Sequence, residues 1–195
     1  MKILRDEAEV ANEKRRVIEG ALAVCRKKGP KFTMDDVAKE IGMSKKTIYQ
    51  IVKDKSDLLY KMIDYVFDDI KEQEKEVLSN PSLSTIEKLK GVLSAMPENL
   101  RGIDFTNMFT VKEKFPECHK HAAERIEGEW ETTVSLLEQA KKEGAIRDVN
   151  ITVFKLMYEA TLERFIQGGD LKKSRIKYID ALNEMTEIMI NGILK

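Results

Sequence analysis

The sequence predicts an all-α protein with about nine helices. Residues that break helices are few, because the 195 residues include only 10 glycines and 4 prolines. Hydrophobic residues make up 42% of the chain, enough to fill a core, and charged residues make up 35%, a share typical of helix-rich surfaces. Apolar residues recur at spacings of three and four along most of the chain, which favours helices over strands.

Three helices are predicted in the N-terminal quarter, at about residues 7–28, 33–42 and 44–53. Gly29 and Pro30 end the first, since glycine suits a left-handed C-cap and proline cannot continue a helix. Thr33 and Ser44 have side chains that cap the second and third helices at their N-termini. Gly42 ends the second helix and permits a tight turn before the third.

Six further helices are predicted, at about residues 56–78, 82–96, 105–114, 117–142, 150–167 and 174–194. Pro97, Gly144 and the Gly168-Gly169 pair mark ends of these segments. No internal repeat or long linker interrupts them. We expect two units, a small N-terminal domain at residues 1–54 and a larger helical body at residues 55–195.

The most specific signal lies in residues 33–49, where two short helices flank the turn at Gly42. This spacing is the helix-turn-helix pattern, in which the first helix crosses the second. Ala38 is small where the helices cross, and Ile41 and Ile48 face inward to fix the crossing angle. The outward face of the second helix consists of Lys45, Lys46, Thr47, Tyr49 and Gln50. Such side chains can donate to phosphates or reach base edges in a major groove.

Residues 17–59 resemble the N-terminal domain of TetR-family transcriptional regulators. The matching positions are Lys28-Gly29, Thr33, Asp36-Val37-Ala38, Gly42-Met43-Ser44-Lys45-Lys46-Thr47-Ile48-Tyr49, and then Lys55, Asp57 and Leu58. The block from Gly42 to Tyr49 is the most specific of these. The rest of the chain is similar to the family only in the number, lengths and breaks of its helices.

The resemblance implies that particular residues bind DNA. It implies phosphate contacts for Thr33, Tyr49 and Lys55, the last at the start of the fourth helix. The implied recognition surface begins at the cap and comprises Ser44, Lys45, Lys46, Thr47 and Gln50. Solvated helix faces are the alternative for the lysines taken singly, and Thr33 is also a helix cap.

Three positions depart from the usual pattern of the family. Ile51 and Val52 stand where a Tyr or His followed by Phe is usual, and Cys25 stands where Phe is frequent. A common phosphate contact is therefore missing after Tyr49, and Lys53 is the candidate to replace it.

The charge distribution favours a DNA-facing N-terminus although the whole chain is neutral, with 34 basic and 34 acidic residues. Residues 1–60 contain 14 Lys and Arg against 10 Asp and Glu, and the remainder contains 20 against 24. A basic segment on a mildly acidic body gives a local field that attracts DNA. We expect a cytoplasmic protein without membrane contact, because no apolar run is long enough to span a bilayer and the charged N-terminus is unlike a signal peptide.

The last two predicted helices are apolar on more than one face, so each needs a partner besides its own core. The resemblance implies a homodimer in which these helices form a four-helix bundle with their copies. The two recognition helices would then lie one DNA turn, ~34–36 Å, apart on a palindromic site.

The middle helices are expected to enclose a pocket for an unknown small-molecule effector. Its candidate lining residues are bulky and apolar: Phe105, Met108, Phe109, Trp130, Val134, Met157 and Tyr158. Ordinary core packing is the alternative for each of them. The effector would tilt the fourth helix, change the separation of the two DNA-binding heads and release a repressor from its operator. Activation is the less common mode in the family.

Two other functions stay open at this stage. A ligand-blind helix-turn-helix protein would use its body only to dimerise or to meet a protein partner. An all-α enzyme would need convergent polar groups, yet the two histidines, His119 and His121, both lie beside Cys118 at one charged helix start. These three residues would point to different sides of a helix and make a poor metal site. We therefore predict no catalytic residues, no metal and no cofactor.

Overall fold

The structure is a computed structural model that describes residues 7–98, 109–167 and 169–195. Its helices are α1 (Glu7–Lys28), α2 (Met34–Ile41), α3 (Lys45–Ile48), α4 (Lys55–Ser79), α5 (Thr85–Leu93), α6 (Phe109–Lys114), α7 (Pro116–Gly128), α8 (Glu131–Lys142), α9 (Ile151–Gln167), α10 (Asp170–Lys173) and α11 (Tyr178–Asn191). A 3₁₀ turn, Gly29–Lys31, follows α1. The predicted all-α fold class is confirmed. Within the described ranges, none of the helices combines the length and apolarity that crossing a bilayer requires.

The predicted N-terminal caps of α2 and α3 are present. The Thr33 side chain accepts a hydrogen bond from the Asp36 amide, and the Asp36 carboxylate accepts one from the Thr33 amide at 2.8 Å. Gly42 has the left-handed conformation, with φ of 64°, and Ser44 Oγ accepts from the Thr47 amide at 3.1 Å. These side chains satisfy amides that a helix start leaves without partners, and so they fix where α2 and α3 begin.

The helix expected over residues 117–142 is two helices, α7 and α8, which are separated at Glu129 and Trp130. Trp130 is buried, and its indole N–H donates to the carbonyl of Ile126 at 3.0 Å. Its ring meets Tyr158 edge-on, with 5.4 Å between the centroids. Burial of this large ring at the break gives a physical reason for the interruption, which helical periodicity alone does not reveal.

The N-terminal helices pack together in one part, the N-terminal core, of a hydrophobic core that continues into the rest of the chain. Val17, Val37 and Ile48, from α1, α2 and α3, are all fully buried. Gly20 lies where α1 passes Ile41 of α2 so closely that a Cβ at position 20 would overlap the isoleucine side chain. The interface between α1 and α2 therefore depends on a glycine, and it fixes the position of α3.

The long helix α4 joins this N-terminal core to the rest of the molecule. It packs against α1 at one end and against α5 and α7 farther along. The Tyr65 hydroxyl donates to Glu19 of α1 at 2.8 Å, while Leu58, Leu59 and Met62 are buried. A shift of α4 would therefore change contacts both in the N-terminal core and in the rest of the molecule.

Candidate functional site

Six of the eight side chains predicted to bind DNA form one outward-facing surface around α3. Ser44, Lys45, Lys46, Tyr49 and Gln50 are exposed, and the Tyr49 ring is 46% accessible. Thr47 is half-buried. Because Ile48 between them is fully buried, this surface is held against the core on one side and faces outward on the other.

Local hydrogen bonds hold the recognition surface in place. The hydroxyls of Ser44 and Thr47 lie 2.8 Å apart, and Lys45 Nζ forms an ion pair with Asp35 of α2 at 3.1 Å. Among the described residues, Lys46 has no ion-pair partner. Lys46 is therefore the lysine of α3 whose charge is most available to a phosphate or a base edge.

Thr33 is exposed at the start of α2 and is engaged in the capping box. Its hydroxyl bonds to the Asp36 carboxylate at 2.9 Å. The ammonium of Lys28 and the donors of Thr33 hold the pKa of Asp36 down at about 2. The capping role of Thr33 is thus established by geometry, and a phosphate contact would have to be made beside it.

Lys55 is engaged by the turn that precedes α2, next to the predicted DNA contact Thr33. Its ammonium donates to the carbonyls of Pro30, at 2.8 Å, and Phe32. It also lies 4.3 Å from the centroid of the Phe32 ring and 5.6 Å from that of Phe115. Burial lowers the pKa of Lys55. In this geometry the side chain joins α4 to the turn before α2.

A partly open cavity of about 500 Å³ lies between the N-terminal helices and the helices of the body. Its apolar walls include Leu22 of α1 and Met62, Val66 and Ile70 of α4. Further lining residues come from α5, α7, α9 and α11. The volume falls within the range of sites for small organic molecules.

Comparisons with known proteins connect the recognition surface to a family. Residues 17–62 match the family described as bacterial regulatory proteins, tetR family. YvaF of Bacillus subtilis (strain 168), an uncharacterized HTH-type transcriptional regulator, is 24% identical over 179 residues, which cover 92% of this chain and 94% of that protein. Residues 17–62 therefore carry the similarity to bacterial regulatory proteins of the tetR family, and the similarity to YvaF spans nearly the whole chain.

Solved structures of similar proteins share the fold of this chain over nearly its whole length. A TetR-family regulator from Cytophaga hutchinsonii aligns with a TM-score of 0.73 at 19% identity, covering 97% of this chain and 98% of that one. A transcriptional regulator from Saccharomonospora viridis, solved in complex with choline, aligns with a TM-score of 0.70 at 18% identity, covering 95% and 99%. The likeness extends through the helical body as well as the N-terminal helices.

The cavity includes only some of the side chains expected to line it. Trp130 and Tyr158 do so, and the Tyr158 hydroxyl donates to the carbonyl of Leu93. Val134 packs against the core instead, and Met157 is 57% exposed. Phe109 is the first residue of α6. The remaining two candidates, Phe105 and Met108, lie outside the described residues.

Sequence reasoning missed the buried glutamate Glu74 in the cavity wall. Glu74 is buried and accepts a hydrogen bond from Lys71 at 2.9 Å. Burial raises the pKa of Glu74, and Lys71 opposes that change. The available signal was its position, since Glu74 continues the apolar stripe of Phe67 and Ile70 at helical spacing.

An ion-pair network joins α4 to α7 beside the cavity. Arg125 of α7 bonds to Asp64 and Asp68 of α4, at 3.0 Å each, and to Glu129. His121 bonds to Asp64 at 2.6 Å, and its ring stacks on that of Tyr60 with 3.7 Å between the centroids. The wall formed by α7 is therefore fixed to the same helix that contacts the N-terminal core.

Proposed function

We propose that this protein is a TetR-family repressor that a small molecule, bound in the cavity, releases from a palindromic operator. In this proposal residues 1–54 bind DNA, and residues 55–195 bind the effector and form a homodimer. Lys46, Thr47 and Gln50 read bases, while Tyr49, Lys45 and the start of α2 at Thr33 hold phosphates. Lys55 stabilises the contact between α4 and the DNA-binding helices.

The main support for the proposal is that the cavity wall includes both α4 and residues of the N-terminal DNA-binding helices. The cavity wall includes Leu22, Cys25 and Pro30 of the N-terminal region as well as α4. Lys55, at the first residue of α4, bonds to Pro30. A ligand that prefers a wider cavity would therefore move α4 and the head together and lower the affinity for DNA by its preference for that state.

The choline bound to the Saccharomonospora viridis protein supports a ligand-binding body. The cavity also favours effector binding over the alternative of a ligand-blind regulator, for which a fully packed body would be expected. Both observations concern the helical body, and neither identifies the effector of this protein.

Exposed apolar side chains support a homodimer through α9 and α11. Val153, Leu156 and Met157 are 51%, 59% and 57% exposed on α9, and Ile188 is 63% exposed on α11. Large apolar side chains at this exposure are typical of a surface that another chain covers. A second copy of the same two helices would bury them in a four-helix bundle and place two recognition helices on one face of DNA.

The test begins with selection of DNA sites by the full chain from a random duplex library. Binding of the selected duplex is then measured for Lys46→Ala, Gln50→Ala and Tyr49→Phe at several salt concentrations. The first two should relax base preference at one position of each half-site, with a loss of about 1–3 kcal/mol per half-site. Tyr49→Phe should weaken all sequences alike.

Lys142→Ala provides the matched control, because Lys142 is exposed at the distant end of α8. It should bind the selected duplex like the unmodified protein. Equal binding by all four variants would refute the assignment of α3 as the recognition helix. Absence of any enriched sequence would refute the proposed function itself.

A further inference from the structure

The cavity wall is mostly apolar and contains more acidic than basic side chains. Its described lining residues include five glutamates, namely Glu74, Glu127, Glu129, Glu159 and Glu163. They include only one lysine and one arginine, Lys71 and Arg125, so the acidic residues are in excess by three. A carboxylate or phosphate ligand would meet net repulsion in this wall, whereas a cation would meet attraction.

The two cations of the wall are already engaged by carboxylates. Lys71 Nζ lies 2.9 Å from Glu74 and 3.4 Å from Glu129. Arg125 bonds to three acidic residues, of which two belong to α4. Neither cation is therefore available to an anionic ligand without breaking an existing ion pair.

Two carboxylate oxygens in the wall are buried without a hydrogen bond. Among the described residues, Glu129 Oε2 and Glu159 Oε1 have no hydrogen-bond donor. Their nearest compensation is electrostatic, from Lys71 at 3.4 Å and from Lys155 at 3.6 Å. Buried acceptors in this condition are costly, and a cation in the cavity would offset that cost.

An ammonium group of the chain itself lies beside the aromatic end of the cavity. Lys155 Nζ is 5.6 Å from the centroid of the Trp130 ring and 3.6 Å from Glu159. Its hydrogen bond goes to the carbonyl of Glu127, at 2.8 Å. Trp130 and Glu159 thus already provide the ring face and the carboxylate that bind alkylammonium groups in proteins.

We propose that the cavity selects an organic cation, with its ammonium head between Trp130, Tyr158 and the carboxylates of Glu129 and Glu159, and its apolar part along α4. The inference rests on the proposed function, because it names the chemical class of the effector. Lys155 competes with the head of the ligand at the rim of the same site. The Trp130 and Tyr158 rings meet edge-on at 84°, so two differently oriented aromatic surfaces face the head group.

The test uses three probes with the same alkyl chain and different heads: decyltrimethylammonium, decanoate and 1-decanol. Trp130 is the only tryptophan, so its fluorescence reports directly on the cavity. The cation should bind on the order of tenfold more tightly than the alcohol or the acid, since charge pairs in a partly dry site change affinity by at least that factor. Equal or tighter binding of decanoate or decanol would overturn the proposal.

Two variants separate charge recognition from simple packing. Glu159→Gln should weaken binding of the cation about tenfold and leave binding of decanol unchanged. Lys155→Met should strengthen binding of the cation, because it removes the competing ammonium and keeps an apolar stem. Glu138→Gln, an exposed position on α8, is the control and should leave all three affinities unchanged. Unaltered cation binding in Glu159→Gln, or weaker binding in Lys155→Met, would overturn the assignment.

Release of the selected operator duplex is measured with the same three probes. Release by the cation supports both proposals. Binding of the cation to the cavity without release supports the inference and refutes the effector mechanism. Release by decanol or decanoate, with no selective binding of the cation, overturns the inference and leaves the effector mechanism standing.

Discussion

Replacing Gly20 by alanine should destabilise the N-terminal core even though alanine is the better helix former. An added Cβ would lie less than 3.0 Å from Cγ2 of Ile41, closer than real Cβ atoms come to their neighbours. Ile41 is branched at Cβ and has little freedom to rotate away. Overpacking of this kind costs about 1–3 kcal/mol, against a gain of about 1 kcal/mol in helix propensity. We expect a net loss of up to about 2 kcal/mol in the free energy of unfolding.

The assay is urea unfolding followed by far-ultraviolet circular dichroism at fixed protein concentration. Gly128→Ala is the matched control, because no atom lies within 4 Å of the added Cβ, and its effect should stay within about 0.5 kcal/mol. In a double-mutant cycle, Ile41→Ala should cost less beside Gly20→Ala than alone, since it removes the overlapping methyl group. Additivity of the two changes within about 0.3–0.5 kcal/mol would refute this explanation.

Three further predictions concern charged side chains. Lys55→Met should lower the free energy of unfolding by about 1–3 kcal/mol, because it leaves buried carbonyls without a donor, and should keep the salt dependence of DNA binding. If the variant instead lowers, by about one, the slope of log binding constant against log salt concentration, Lys55 is a phosphate contact. Ionised Asp36 contributes stability that is present above pH 3.8 and is lost as pH falls towards its folded pKa of about 2. Asp36→Asn should therefore make the melting temperature less dependent on pH between these two values. The folded pKa of Glu74 is raised, so its contribution is favourable below its ordinary value of 4.5 and is lost as pH rises through the folded value. Glu74→Gln should therefore raise the melting temperature more at pH 7 than at pH 4, and an equal rise at both would contradict the burial argument.

The sequence predicts the local features that determine where helices begin and end. Thr33, Ser44 and Gly42 act through their own backbone neighbours, so their residue types were sufficient to place α2, the turn and the start of α3. The fully buried position of Ile48 followed from the same spacing. These features depend on residues close in sequence, so the sequence pattern predicts them directly.

Features that depend on distant parts of the chain could not be predicted in this way. Lys55 turns towards Pro30 because carbonyls 25 residues away face it, and a lysine at a helix start carries no sign of that. Trp130 lies at the break between α7 and α8, where its ring meets a tyrosine of α9. The outward side of α9, which includes Met157, differs from the cavity side only by where neighbouring helices pack. Such contacts depend on tertiary packing, which local pattern does not encode.

Methylation interference on the selected duplex tests the central claim most directly. Dimethyl sulfate modifies N7 of guanine in the major groove and N3 of adenine in the minor groove, so the pattern reports which groove α3 enters. The account predicts interference at guanine N7 in two half-sites related by dyad symmetry and centred about 10–10.5 base pairs, or a multiple of that, apart. Interference confined to adenine N3, or to a single unsymmetrical patch, would contradict it.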